Sequence, residues 1–148
     1  MFNNKRSFII GLAGVLVFSA AKTEVEESYE NQIQQISHLP LVSGDTITPE
    51  HLDGKLLLLN FWASYDAESR INNYNLLRLS ENYQNTSFFN AQGLEVVSVS
   101  LDTYRSQLLK AIEADETQEF LHICDFQGTE SEICRSFDID RPVNLLVS

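Results

Sequence analysis

Cysteine is scarce in this 148-residue sequence: Cys124 and Cys134 are the only two, with nine residues between them. This spacing fits neither a dithiol motif with two intervening residues nor a zinc site, which needs further ligands at short spacing. The three histidines, His38, His51 and His122, are scattered along the chain. The sequence therefore predicts no metal site and no cofactor.

Three interpretations of the state of the two cysteines are open. Cys124 ends an apolar run, and Cys134 lies on an apolar helical face with Ile133 and Phe137, so we predict free, buried thiols. A structural disulfide between them is the second interpretation, because paired cysteines of exported proteins often form one. A redox-active pair is the third.

Basic residues are also few, at 10 Lys and Arg against 21 Asp and Glu, which gives a formal net charge of −11. Such an acidic chain is poorly suited to bind nucleic acid or an anionic membrane surface. Because the acidic residues are spread along the chain, we interpret them as a solvated surface. The composition thus argues against a nucleic-acid partner and against a membrane contact beyond a signal peptide.

No apolar run reaches the ~20 residues that span a bilayer comfortably. The N-terminus instead has the pattern of a signal peptide: basic Lys5 and Arg6, an apolar stretch over residues 8–18, and small residues at Ser19-Ala20-Ala21. We predict a signal peptide over residues 1–21 and an exported, periplasmic protein, with an uncleaved membrane anchor as the alternative. Residues 22–38 are predicted to be a linker or a loosely held helix, and residues 39–148 a single domain.

The most informative stretch is Lys55–Arg70, which reads as strand, tight turn and helix start. Leu56–Phe61 is a short apolar run, as expected of a strand buried on both faces in a parallel sheet. Asp66 is suited to be a helix N-cap, and the apolar residues after it have helical spacing. They are Ile71, Tyr74, Leu76, Leu77 and Leu79.

Residues 61–70, Phe-Trp-Ala-Ser-Tyr-Asp-Ala-Glu-Ser-Arg, resemble the active-site segment of the thioredoxin-like superfamily. The most similar branch is that of the exported thiol–disulfide oxidoreductases, which includes cytochrome-maturation proteins and has the pattern Phe-Trp-Ala-Ser/Thr-Trp-Cys-x-x-Cys-Arg. Here Asp66 and Ser69 occupy the positions of both redox cysteines. A carboxylate cannot form a mixed disulfide and a serine cannot resolve one, so the resemblance implies the fold without its chemistry.

The rest of the chain follows the same order of elements. A β-hairpin around Ser43-Gly44-Asp45, with a helical turn from Pro49, is similar to the N-terminal addition of that branch. Further strands are predicted over Leu94–Leu101 and Phe120–Cys124, and helices over residues 102–114 and 130–137, with Leu108, Leu109 and Ile112 on the buried face of the first. The alternation predicts an α/β fold with a mostly parallel central sheet flanked by helices. The resemblance implies a further C-terminal edge strand and helix, which the sequence to Ser148 does not include.

In this family a proline with a cis peptide bond faces the active-site turn, and the residue before it pairs with extended substrate. The resemblance places Arg141 and Pro142 there, and it implies a peptide groove formed by Trp62, Tyr65, Arg141 and Pro142. For Trp62 the alternative is packing in the core beneath the helix. Asp66 is either a mimic of the thiolate or simply an N-cap.

Three hypotheses for function follow. The first is a redox-inactive, exported thioredoxin-like domain that binds a protein or peptide partner in the degenerate groove. The second is a thiol–disulfide oxidoreductase in cell redox homeostasis that uses Cys124 and Cys134. The third is a structural fragment of a larger thioredoxin-like protein.

Overall fold

The computed structural model describes residues 30–147. The chain divides into two compact units, Met1–Gln34 and Gln35–Ser148, and the described part of the first unit, residues 30–34, is helical. The predicted signal peptide and residues 22–29 of the predicted linker lie outside the described residues. Within the described part of the chain, no helix is both long and apolar enough to cross a membrane.

The second unit is a four-stranded sheet with helices between the strands. In chain order its elements are α1 (Pro49–Leu52), β1 (Leu56–Trp62), α2 (Ala67–Tyr83), β2 (Leu94–Ser100), α3 (Arg105–Ala114), β3 (Leu121–Ile123), a 3-10 turn (Gly128–Glu130), α4 (Glu132–Ser136) and β4 (Val143–Val147). The strand order is β3-β2-β1-β4. The first three strands are parallel and β4 is antiparallel to β1, so the predicted mostly parallel α/β sheet is confirmed.

The central strand β1 is apolar because both of its neighbours and the helices enclose it. Leu57 and Leu59 have no exposed surface, as expected of a strand inside a parallel sheet. Beside the sheet, Trp62 packs with Val42, Leu108, Ala111 and Ile112, and a second apolar cluster contains Leu58, Leu76, Leu94, Val96 and Phe120. The polar exception on β1 is Asn60, which is also buried.

The predicted hairpin before β1 is present as a tight turn. Pro40 pairs with Thr46 in an antiparallel bridge, and Gly44 has a φ of +103°, which a residue without a Cβ adopts readily. Leu41 forms a bridge with Ile123, so the turn covers the outer edge of β3. The helical turn predicted from Pro49 is also present, as α1.

Helix α2 begins where predicted, but its buried face differs from the expected apolar stripe. The buried residues are Ser69, Asn73 and Leu76, whereas the side chains of Ile71 and Tyr74 are 66% and 56% exposed. The first part of this face is polar because Asn60 on β1 forms hydrogen bonds with it, whereas Leu76, Leu77 and Leu79 further along pack in or against the second apolar cluster as predicted. On α3, Leu108, Ala111 and Ile112 are buried, and Leu109, predicted to lie with them, is exposed because it is about 100° further round the helix.

The expected cis peptide bond before Pro142 is wrong: no peptide bond among residues 30–147 is cis. The trans form is intrinsically favoured by about 0.5–1 kcal/mol, so tertiary contacts must enforce the cis form. Both Arg141 and Pro142 are exposed. Exposed residues make few contacts that could enforce the cis isomer.

Strand β4 lies at one edge of the sheet. Its inner side pairs with β1 from Leu57↔Val147 to Phe61↔Val143, and no strand among residues 30–147 pairs with its outer side. Val143 and Leu146 are exposed apolar residues on this strand. Because Val143 pairs with Phe61 near the end of β1, the beginning of β4 lies next to the N-terminus of α2.

Candidate functional site

The N-terminus of α2 is capped by Asp66, as its position in the sequence indicates. The Asp66 carboxylate accepts a hydrogen bond from the backbone N–H of Ser69 at 2.8 Å. Hydrogen bonds from the Ser69 hydroxyl and from its backbone N–H hold the pKa of Asp66 below its usual value. Asp66 therefore places a negative charge at the positive end of the helix dipole.

Ser69 lies behind this cap and is 4% exposed. Its Oγ accepts a hydrogen bond from the backbone N–H of Ala63 at 3.4 Å, which ties the helix to the loop that leaves β1. The described residues around it include no histidine partner for the hydroxyl. Ser69 is thus a positioning group and is not arranged as an activated nucleophile.

A cleft of about 150 Å³ brings Asp66, Ser69 and Pro142 together. The start of β4 forms one wall and the first two turns of α2 form the other; the further lining residues are Asn60, Phe61, Glu68, Asn72, Val143 and Asn144. No cysteine lines this cleft. Asp66 and Pro142 are 76 positions apart in the sequence, and the fold brings them to one cleft.

The prediction that Trp62 contributes to this groove needs correction. Trp62 has no exposed surface and packs in the core with Leu108 and Ile112. Its indole Nε1 has no hydrogen-bond partner within the described part of the chain. Being the last residue of β1, Trp62 points into the space between the sheet and α3, where its area is most fully buried.

The other two predicted groove residues lie outside the cleft lining. Tyr65 is 73% exposed and lines a separate concavity with Ser64, Arg70, Gln107 and Lys110. Arg141 is exposed and immediately precedes Pro142. Among residues 30–147, the backbone N–H and C=O of Arg141 form no hydrogen bond, so both groups are available next to the cleft.

The loop between β1 and α2 is held by Asp102, a residue that the sequence analysis did not identify as part of the site. The buried Asp102 carboxyl accepts hydrogen bonds from the Ser64 hydroxyl at 2.5 Å, the Ser64 N–H at 3.0 Å and the Ser100 hydroxyl at 2.7 Å. Asp102 follows β2 at the carboxyl end of the sheet, and this position is the signal that could have indicated it.

A second polar network joins α2 to β1 and to the end of α3. Arg70 donates from Nε and Nη2 to the two carboxylate oxygens of Asp115, both at 2.5 Å, and these bonds raise the pKa of Arg70. Asn73 donates to Asp115 at 2.9 Å and accepts from Asn60 at 3.0 Å. The sequence feature that could have indicated this network is Asn60, a polar residue inside the apolar run of β1.

The same network reaches the cleft through a reciprocal pair of side-chain amides. Asn72 donates to Asn144 at 3.2 Å and accepts from its amide at 3.1 Å, while also donating to Asn60 at 3.4 Å. This pair connects α2 directly to β4. It fixes the distance between the two walls of the cleft.

Both cysteines are free in the structure, so the alternative of a structural disulfide is not supported. Cys124 is half-buried and its thiol donates to the Asp102 carbonyl at 3.4 Å, whereas Cys134 is buried. Burial raises the pKa of each thiol, which lowers the thiolate fraction that attack on a disulfide requires. Among the residues described, no group of three or more potential ligands could hold a metal ion.

The sheet, the capped helix and the cleft beside a proline together define a thioredoxin-like domain. A thiol–disulfide oxidoreductase from Bacteroides fragilis has 30% sequence identity and a TM-score of 0.64, covering 76% of this chain and 82% of its own. The C-terminal domain of a proposed thiol–disulfide oxidoreductase from Bacteroides thetaiotaomicron has 30% identity and a TM-score of 0.63, with 74% of each chain covered. The thioredoxin domain of a Bacteroides vulgatus oxidoreductase, at 20% identity and a TM-score of 0.61 over 75% of this chain and 74% of its own, shows the same fold.

The chain therefore belongs to the thioredoxin-like superfamily, and the solved structures similar to it include thiol–disulfide oxidoreductases. No family model and no curated protein matches the sequence. The predicted thioredoxin-like fold is confirmed.

The cap predicts a pH-dependent contribution to stability. We expect Asp66→Ala to lower the thermal midpoint at neutral pH and Asp66→Asn to lower it less, because the Asn side-chain oxygen still accepts from the Ser69 N–H but carries no charge. Since the pKa of Asp66 is lowered in the folded state, its ionised form stabilises the fold above the unfolded pKa of about 3.9. This stabilisation is lost as the pH falls through the lower folded pKa. Thermal unfolding of both variants from neutral to strongly acidic pH tests this, and a deficit of Asp66→Ala that is as large in strong acid as at neutral pH contradicts it.

Proposed function

We propose that this protein is a redox-inactive, exported thioredoxin-like domain that binds a protein or peptide partner in extended conformation. The observation that carries the proposal is the cleft formed by Asp66, Ser69 and Pro142. No thiol lines it, and beside it lies the backbone of Arg141, which has no hydrogen bond among residues 30–147. Backbone N–H and C=O groups of an extended peptide can pair with such a segment, and neighbouring pockets then select side chains.

Absence of redox activity follows from the same chemistry. Asp66 cannot form a disulfide, and Ser69 cannot resolve one. The two cysteines that remain are outside the cleft and have raised pKa values. The proposed periplasmic location depends on the signal-peptide pattern of residues 1–21.

The cleft offers a matched pair of variants. Val143 and Leu146 are both exposed apolar residues of β4, but only Val143 lines the cleft. We expect peptides selected from a random library against the wild-type protein to shift the NMR signals of residues 66–69 and 141–144. Val143→Glu should weaken their binding by about tenfold or more, because a charge desolvated in the contact costs over 1.4 kcal/mol. Leu146→Glu should leave binding unchanged.

Two results would contradict the proposal. Peptide binding that is unchanged in a folded Val143→Glu variant would exclude the cleft as the binding site. Turnover in a disulfide-reductase assay that Cys124→Ser abolishes would show instead an enzyme with relocated thiols. We expect no turnover from the wild-type protein.

A further inference from the structure

A larger cleft lies on the β3 side of the sheet and shares no lining residue with the Asp66–Pro142 cleft. We call it the β3 cleft. It has a volume of about 750 Å³ and lies between the turn at Leu41–Thr46, the start of α1, the outer face of α3 and the residues leading into β3. Pockets of roughly 300–1,000 Å³ are typical of small-molecule sites. The β3 cleft is thus large enough for a small organic ligand.

Its lining is partly apolar and partly polar, and one of the apolar residues is exposed. The apolar lining residues are Leu41, Val42, Leu109, Ile112, Phe120 and Leu121. The side chain of Leu109 is 42% exposed, although its neighbour Leu108 is completely buried in the core. A ligand with an apolar body would cover Leu109 and remove this surface from water, which is favourable.

The charged lining groups are all of one sign. Asp45 and Glu119 contribute carboxylates, and no lysine or arginine lines the cleft. The carboxylates are exposed, so they attract a cation without a large desolvation cost. An anionic ligand would be repelled by these carboxylates and by the net charge of −11 on the whole chain.

The lining also includes two histidines. The backbone N–H of Thr48 donates to the Nδ1 of His51 at 3.0 Å. His122 is 7% exposed, its Nε2 lies 2.7 Å from the carbonyl oxygen of Thr117, and burial lowers its pKa. Since the carbonyl accepts the Nε2 proton, the Nδ1 of His122 keeps its lone pair, and it has no partner among residues 30–147.

From these observations we infer that the β3 cleft binds a small organic cation with an apolar body, of the alkylammonium class. The alkyl chain lies against Leu109 and Phe120, and the ammonium group lies at the rim between the carboxylates of Asp45 and Glu119. This site is independent of the peptide cleft.

Three probes of equal length separate charge from apolar burial: hexylammonium, hexanol and hexanoate. NMR titrations of the full chain should show shifts in residues 41–46 and 118–122, with hexylammonium binding more tightly than hexanol and hexanoate most weakly. The double variant Asp45→Asn, Glu119→Gln should weaken hexylammonium about threefold to fivefold, as expected for exposed ion pairs. Its affinity for hexanol should not change.

Variants on α3 provide the controls. Leu109→Ser should weaken hexylammonium and hexanol alike, whereas Glu113→Gln, an exposed change on α3 outside the cleft, should alter neither. All of these positions are exposed, so folding should be retained, which the dispersion of the NMR spectrum checks. Equal affinity for hexanoate and hexylammonium, or shifts absent from residues 41–46 and 118–122, would overturn the inference.

Discussion

Trp62→Ala is expected to lower the free energy of unfolding by about 3–5 kcal/mol, the range for truncating a large buried aromatic residue. Trp62 has no exposed surface and fills the space between the end of β1 and α3, against Val42, Leu108, Ala111 and Ile112. Three of these neighbours are held on one helix, α3, and Val42 lies in the turn before β1, so they cannot easily move together to fill the cavity. Urea denaturation followed by far-UV circular dichroism measures the change, since the variant has no tryptophan left.

The matched control is Tyr65→Ala, three residues further along the chain. Tyr65 is 73% exposed, so its removal should change the unfolding free energy by no more than about 0.5 kcal/mol. Equal losses for the two variants would contradict the assignment of Trp62 to the core. The large cost also means that Trp62→Ala cannot serve as a test of peptide binding.

Asp102→Ala should be the second most disruptive change, lowering the free energy of unfolding by about 3 kcal/mol. The substitution removes the acceptor of three hydrogen bonds, and it leaves the hydroxyl of Ser100, a buried residue, without this acceptor. Asp102→Asn should cost less, because the amide oxygen can still accept from the Ser64 N–H. Urea denaturation of both variants tests the order.

Asp140→Ala is a suitable control for the loss of a carboxylate, because Asp140 is exposed and forms no hydrogen bond with the described residues. It should change stability by no more than about 0.5 kcal/mol. If Asp102→Ala were as stable as this control, Asp102 would not hold the loop before α2. The position of Asp66 relative to Pro142 would then need another explanation.

Local pattern was sufficient for the segment from β1 to α2. The apolar run of Leu56–Phe61 and the capping residue Asp66 are signals contained within a few neighbouring residues, and strand, turn and helix are found there. The same holds for the turn at Gly44 and the helix start at Pro49. By contrast, the spacing of the apolar residues did not predict which residues at the start of α2 are buried. Asn73 is buried there because Asn60 on β1 donates a hydrogen bond to it.

By itself, the sequence determined the fold class, the capped helix and the absence of both thiols from the active-site segment, because these depend on residue type and short spacing. Only the tertiary structure decided that Trp62 is in the core, that the bond before Pro142 is trans and that Asp102 holds Ser64. These outcomes depend on contacts between residues far apart in the chain, such as 38 positions from Ser64 to Asp102 and 72 from Asn72 to Asn144. No local pattern encodes such contacts, because they form only when the sheet assembles.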